Sequence, residues 1–169
     1  DNGAFRDFTA ERSFQVMKYE IALGKVTKAG RRPDFLVVPD IVMGGMASLD
    51  FSMRWVDRLR SLGPLALAVQ NGMTPEQVRP MLFPYFSVIF VGGNTWWKKH
   101  TSPAWIELAR QVGLRCHIGR VGTPGCVRRA RMIGADSIDS CFPLWTFDRM
   151  GKFVKAVNGP IFVSGGLIP

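Results

Sequence analysis

Residues 65–72, LALAVQNG, decide how the chain is read. A strand with one wet face alternates apolar and polar residues. Five apolar residues in an unbroken row suit a strand buried on both faces of a parallel sheet. The run stops on Gln70, Asn71 and Gly72, and Thr74-Pro75 then carries a helix start. Thr74 stands as N-cap, Pro75 sits at the first helical position, and Gln77 lies three residues past the cap, as a capping box requires. A buried strand, a polar tip and a helix start together make one βα unit.

The same order recurs outward from this stretch. Apolar runs lie at FLVVPD (35–40), SVIFVGG (87–93), RCHIGRVG (115–122), DSIDSC (136–141) and PIFVSGG (160–166). Helix starts are expected at Thr101 or Ser102 before Pro103 and at Thr123 before Pro124, and helix stops at Gly63, Gly113, Gly134 and Gly159. No run signals a hairpin. Repeated βα units leave an open doubly wound sheet or a closed barrel. Polar residues close nearly every run: Asp40, Gln70 with Asn71, Gly92 with Gly93, Arg120, Asp139 and Ser164. A barrel gathers such tips at one mouth, whereas an open sheet spreads them along an edge. The expectation is therefore α/β: a (β/α)₈ TIM-type barrel incomplete at its N-terminus, with residues 1–169 forming a single partial barrel domain. DNGAF at 1–5 reads as the loop leaving an earlier strand, so the sequence reads as a piece of a longer chain or a degraded or split copy.

Composition narrows the class. The 169 residues are 47% hydrophobic and 21% charged, enough for one sizeable core. The apolar runs are too short to span a membrane and no signal peptide opens the chain, so a cytoplasmic setting without membrane contact is expected. Cys116, Cys126 and Cys141 match neither a disulfide framework nor a zinc ligand set, and read as reduced, mostly buried thiols. The eight methionines read as core filler. With 22 Lys+Arg against 13 Asp+Glu, the net charge of +9 favours an anionic partner, on a folded basic face rather than a tail.

GADSIDSC at 134–141 ends a buried strand on a carboxylate. A carboxylate at the tip of a barrel strand, partly desolvated and open to the mouth, is a candidate nucleophile or general acid/base. Asp139 is the first choice. A purely structural role, in which Asp136 or Asp139 caps the next segment or pairs with Arg120, stands beside it. Asp1 and Asp40 are the other acids at strand ends, and displacement at a glycosidic carbon uses two carboxylates.

Six short motifs in order, DNGAF (1–5), VVPD (37–40), LAVQNG (67–72), FVGG (90–93), VGTP (121–124) and GADSIDS (134–140), resemble the signature segments of the tRNA-guanine transglycosylase superfamily. HIGRVG joined to GADSIDS, and FVGG followed by NTWWK, are most similar to the phage and bacterial branch that inserts 7-deazaguanines into DNA. The resemblance implies an enzyme, a pentosyltransferase, that replaces guanine in DNA with a free 7-deazaguanine base through a covalent aspartyl-sugar intermediate, using no cofactor and no metal. Asp139 then corresponds to the nucleophile and Asp1 to the acid/base that handles the proton of the base. Asp40, Gln70, Gly92 and Gly93 correspond to the purine-recognition positions. A carboxylate can accept from the N1–H and amine of a guanine edge, an amide can read its carbonyl, and glycines let backbone N–H groups approach a flat ring. The target nucleotide must leave its stack to be reached.

Three departures qualify the match. The Cys/His zinc subdomain of the tRNA enzymes has no counterpart, which favours DNA over tRNA. Asn2 and Ala4 replace small or hydroxylated loop residues. Arg120 replaces a small residue, and could contact a phosphate or pair with Asp139. Trp97, Lys98 and Lys99 are candidate nucleic-acid contacts, with at most one of Trp96 and Trp97 free to stack. His117 reads as a hydrogen-bonded core or mouth residue. A phosphate-binding barrel with FVSGG (162–166) as its loop, and a non-catalytic nucleic-acid-binding remnant, are the competing functions.

Overall fold

The computed structural model describes residues 2–30, 32–163 and 166–168, with 161–163 and 166–168 described by backbone alone. Helices α1 (Ala4–Thr9) and α2 (Val16–Lys28) precede strand β1 (Leu36–Val37). There follow α3 (Gly45–Met53), α4 (Val56–Leu59), β2 (Leu65–Val69), α5 (Pro75–Leu82), β3 (Phe86–Val91) and α6 (Thr95–Gln111). The chain continues through β4 (Arg115–Ile118), α7 (Pro124–Met132), β5 (Ser137–Ile138), a 3₁₀ turn (Phe142–Leu144), α8 (Phe147–Asn158), β6 (Ile161–Val163) and β7 (Gly166–Ile168).

Strands β1 to β5 form one parallel sheet in sequence order. A doubly wound sheet reverses its strand order at a switch point. This one does not, and it curls as half a barrel. This is compatible with the expected partial barrel without making a (β/α)₈ barrel of it, because PIFVSGG, expected as a further strand, does not add a sixth parallel one. Its β6 pairs antiparallel with β7, Val163 opposite Gly166. The sequence carried that signal, since IFV and GLI are two short apolar runs separated by two residues, one of them Gly. Ser164 and Gly165 lie outside the described residues, and the phosphate-loop reading of FVSGG lies there with them.

Both faces of the sheet are buried, as the unbroken runs require. Leu65, Leu67, Val69, Ile89, Val91, Cys116 and Ile118 pack into the main core with Trp105, Ile106, Leu108 and Val127 from the helix layer. The concave face carries Val37, Ala66, Ala68 and Val88, flanked by Phe35 and Phe90. His117 continues this face, stacked 4.7 Å from Phe90 and edge-on to Phe35 at 5.3 Å.

Helix ends follow the local chemistry. Thr74 and Gln77 close the reciprocal capping box of α5, and the Thr123 hydroxyl accepts from the Cys126 N–H at the start of α7. Gly113 and Gly134 take left-handed φ of 71° and 83° just past α6 and α7, a conformation glycine adopts without penalty. The start expected at Thr101 or Ser102 is overturned. Asn94 caps α6 through the Trp97 N–H at 2.8 Å, and the helix runs on through Pro103. Proline offers no N–H to the carbonyl four residues back. The Lys99 carbonyl instead accepts from Arg129 Nη2 at 2.7 Å, so α7 supplies the bond that Pro103 removes. The thiols are all free, but only Cys116 is buried. Of the methionines only Met73 is fully buried, and six others are exposed.

Candidate active site

The C-terminal ends of β1 to β5 bring Asp40, Gln70, Gly93, Arg120 and Asp139 to one rim, bridged by hydrogen bonds and by charge. The two aspartates of GADSIDSC divide the work. Asp136 is structural: its Oδ2 accepts from the Cys116 N–H at 2.7 Å, its own N–H donates to the Cys116 carbonyl at 2.9 Å, and β5 is fastened to β4. Asp139, three residues on, lies on the concave side with Ser137, beside His117 across the ladder.

Asp139 is held from two directions. His117 Nε2 stands 3.0 Å from Oδ1, and the Arg120 backbone N–H reaches both carboxylate oxygens at 3.1 Å. Partial burial pushes this carboxyl up, but the His117 hydrogen bond, the Arg120 N–H and the charges of His117 and Lys98 outweigh it, so its pKa lies below the ordinary carboxylate value. An ionised carboxylate only accepts, which places the proton on Nε2. In the neutral ring Nδ1 then accepts from the Ser137 hydroxyl, 2.8 Å away. The side chain is still 49% exposed, so a reactant can reach it.

Arg120 makes this hold possible through an unusual backbone. Its φ of 53° is left-handed, which costs a non-glycine residue about 1–2 kcal/mol. That turn aims the N–H at Asp139, while Nη2 donates to the Gly93 carbonyl at 2.7 Å and the guanidinium lies 3.5 Å over the Phe5 ring. Of the two alternatives left open for Arg120, a direct ion pair with Asp139 is not among the contacts of the described residues, although the two charges act on each other. The base that meets the carboxylate is His117, a charged pair only when its ring is protonated. Lys98, from α6, donates its ammonium to the Gly119 carbonyl and, at 3.4 Å, to that of Arg120, holding the turn from behind.

Across the rim is a closed amide–carboxylate network. Asp40 is buried, accepting from Asn2 Nδ2 on Oδ1 and from Gln70 Nε2 on Oδ2, both at 2.6 Å. Gln70 Oε1 accepts from the N–H groups of Met43 and Gly93. Burial raises the Asp40 pKa, with the bonds from Asn2 and Gln70 and the Arg120 charge pulling the other way. The two acids are therefore tuned apart, one toward the ionised form and one toward the protonated form, a division that acid–base chemistry uses. The N–H groups expected to meet a flat ring are engaged instead, that of Gly92 on the Val69 carbonyl and that of Gly93 on Gln70, because buried donors must be paired. Gly92 and Gly93 serve the rim by lacking a Cβ. One would come within 2.6 Å of Gln70 at Gly92, and of Asn71 Oδ1 at Gly93.

The three proposed nucleic-acid contacts separate. Trp97 is buried with Trp105, at 6.1 Å between rings, and cannot stack a base; the exposed ring is its neighbour Trp96, lying against His100. Lys98 is buried on carbonyls rather than free for phosphate, and only Lys99 points to solvent. The reason is the 100° step of the helix: Trp97 and Lys98 fall on the side of α6 that meets the sheet. Asp1 lies outside the described residues. Two contributors escaped the sequence reading. Asn2 stood out only as a departure from the motif, yet it donates to Asp40. The hold of His117 on Asp139 follows once β4 and β5 are neighbours, because residues 117 and 137 pair and 139 shares their face.

Comparison with protein-family models, with curated proteins and with solved structures finds no match for the chain.

Proposed function

We propose that the chain carries the chemistry of a base-exchange transglycosylase that replaces guanine in DNA with a 7-deazaguanine. The observation that supports it most is Asp139: a half-exposed carboxylate, kept ionised by His117 and the Arg120 N–H, on the same rim as the buried Asp40–Gln70 pair. In this reading the Asp139 oxygen attacks C1′ of the flipped nucleotide and forms a C1′–O bond. The C1′–N9 bond breaks, and its electron pair leaves with guanine, which takes up a proton. The incoming base loses its N9 proton, attacks C1′ in turn and expels the Asp139 carboxylate, which is regenerated. Asp1, by the resemblance, would handle those protons.

Asp40 and Gln70 carry groups that suit a guanine edge, an acceptor for N1–H and the amine and an amide partner for the carbonyl. They are, however, bonded to each other, to Asn2 and to the Met43 and Gly93 N–H groups, so an entering base has to replace those bonds. The Arg120 guanidinium, flat and rich in N–H donors, stands between Phe5 and the Gly93 carbonyl, and an entering purine would displace it. The test is incubation with guanine-containing single- and double-stranded DNA, with tRNA as a separate arm, followed by denaturing electrophoresis. A denaturation-resistant adduct that Asp139→Asn fails to form is the expected result. Adduct with tRNA alone would move the substrate to RNA, and no adduct with any nucleic acid would overturn the reading.

A further inference from the structure

A second recess opens beside the rim, between α6 and the turn that joins β4 to α7. It measures about 500 Å³. Its wall combines Ile118, Val121, Ala130 and Ile133 with four cations, Lys98, Lys99, Arg120 and Arg129, and among the described residues no carboxylate lines it. Lys98 and Arg120 are spent on carbonyls and feel the Asp139 charge. That leaves Lys99 and Arg129 as the positive groups that face this cavity without a counter-charge in its wall, an arrangement that suits an anion. The first turn of α7 adds to this field. Pro124 brings no N–H, the Cys126 N–H is taken by Thr123, and that of Gly125, which lines the cavity, has no partner among the described residues.

A bare inorganic anion would leave most of this volume and the whole apolar wall unused. Cavities of this size enclose an organic ligand. An apolar floor with a cationic rim fits a flat ring system carrying a phosphate. We propose that this recess is a mononucleotide site, with the base against Ile118, Val121, Ala130 and Ile133 and the phosphate at Lys99, Arg129 and the Gly125 N–H. The occupant is a free nucleotide or a nucleotide of a bound strand. The proposal goes beyond base exchange and does not require it.

Cys126, exposed and part of the lining, reports on occupancy, while Cys141, exposed and outside the lining, is the internal control. Iodoacetamide alkylation of both thiols is followed by mass spectrometry with AMP, adenosine, inorganic phosphate or a short single-stranded DNA present. AMP at about ten times its dissociation constant should slow Cys126 about tenfold, since only the empty fraction reacts. Adenosine and phosphate should each protect less, Cys141 should not respond, and K99E and R129E should each lose the protection. Protection by DNA but not AMP assigns the site to a strand nucleotide, and protection by AMP assigns it to a free one. No slowing by either, equal slowing of Cys141, or protection that survives both charge reversals would overturn the proposal. D139N should leave the protection intact, so a missing adduct with protection retained counts against the transglycosylase reading alone.

Discussion

His117 shows how one residue can serve packing and chemistry together. Its ring fills the concave face against Phe90 and Phe35, and its nitrogens tie Ser137 to Asp139. His117→Phe keeps the stack and removes the bonds, so Asp139 loses the largest influence that lowers its pKa while burial still raises it. The acidic limb of adduct formation should then move to higher pH, and a limb that stays in place would show that His117 does not set the Asp139 charge. The stability sign agrees. A carboxyl whose folded pKa is depressed stabilises above its unfolded value, and that contribution is lost as pH falls through the folded value. H117F should lose less stability on acidification than the parent. Lys98 carries the opposite case. Burial first, and then the Arg120 charge, lower it from the ordinary value of 10.5 to about 8. Between these values the unfolded chain binds more protons, so this lysine makes stability rise with pH. Cys116, raised by burial to about 12, slopes the other way, but it is common to parent and variant. The difference between parent and Lys98→Met, measured by urea denaturation from pH 8 to 10.5, isolates the lysine; no difference in slope would mean that its ammonium is not desolvated. The residues alone showed His117 as a hydrogen-bonded core or mouth residue, as it is, but not its partners, because those depend on which strand lies beside which.

At the scale of the element, caps were readable and through-helix prolines were not. Thr74, Gln77 and Thr123 act within a few residues of themselves, so local spacing suffices. Pro103 looked like a helix start because a Thr-Ser-Pro stretch ordinarily is one. What overrides it comes from 26 residues downstream, where Arg129 supplies a donor to the Lys99 carbonyl. A double-mutant cycle follows from that geometry. Arg129→Met should cost about 1 kcal/mol in the parent, the usual net value of a hydrogen bond. In a Pro103→Ala background the backbone N–H gained at that position takes the Lys99 carbonyl, and most of that cost should vanish. Equal costs in both backgrounds, by urea denaturation, would show that Arg129 acts elsewhere.

For the whole molecule, the rim was legible because the five apolar runs that form β1 to β5 each end on polar residues or glycines in the same direction, and a parallel sheet carries that direction into space. The end of the sheet was open to two readings, since the two residues between IFV and GLI signal a hairpin and also resemble a ligand loop, and β6 pairs antiparallel with β7. The charge was legible as a sum but not as a placement: of the cluster at 98–100, Lys98 is buried and Lys99 faces solvent. The +9 excess should therefore show itself through exposed cations in salt-dependent binding of single-stranded DNA. Each neutralised phosphate contributes about −0.7 to the slope of log affinity against log salt for a single strand. Lys99→Ala should flatten the slope by about that amount, one contact's worth. Lys98→Met should leave it nearly unchanged, because an ammonium already bonded to two carbonyls releases no counterion. Asp139→Asn, which removes a negative charge from the rim, should not weaken binding. Anisotropy titrations between low and physiological salt measure all three. A slope that answers to Lys98 and not to Lys99 would place the phosphates inside the turn that Lys98 clamps, and would reverse the inside and outside of α6 as described.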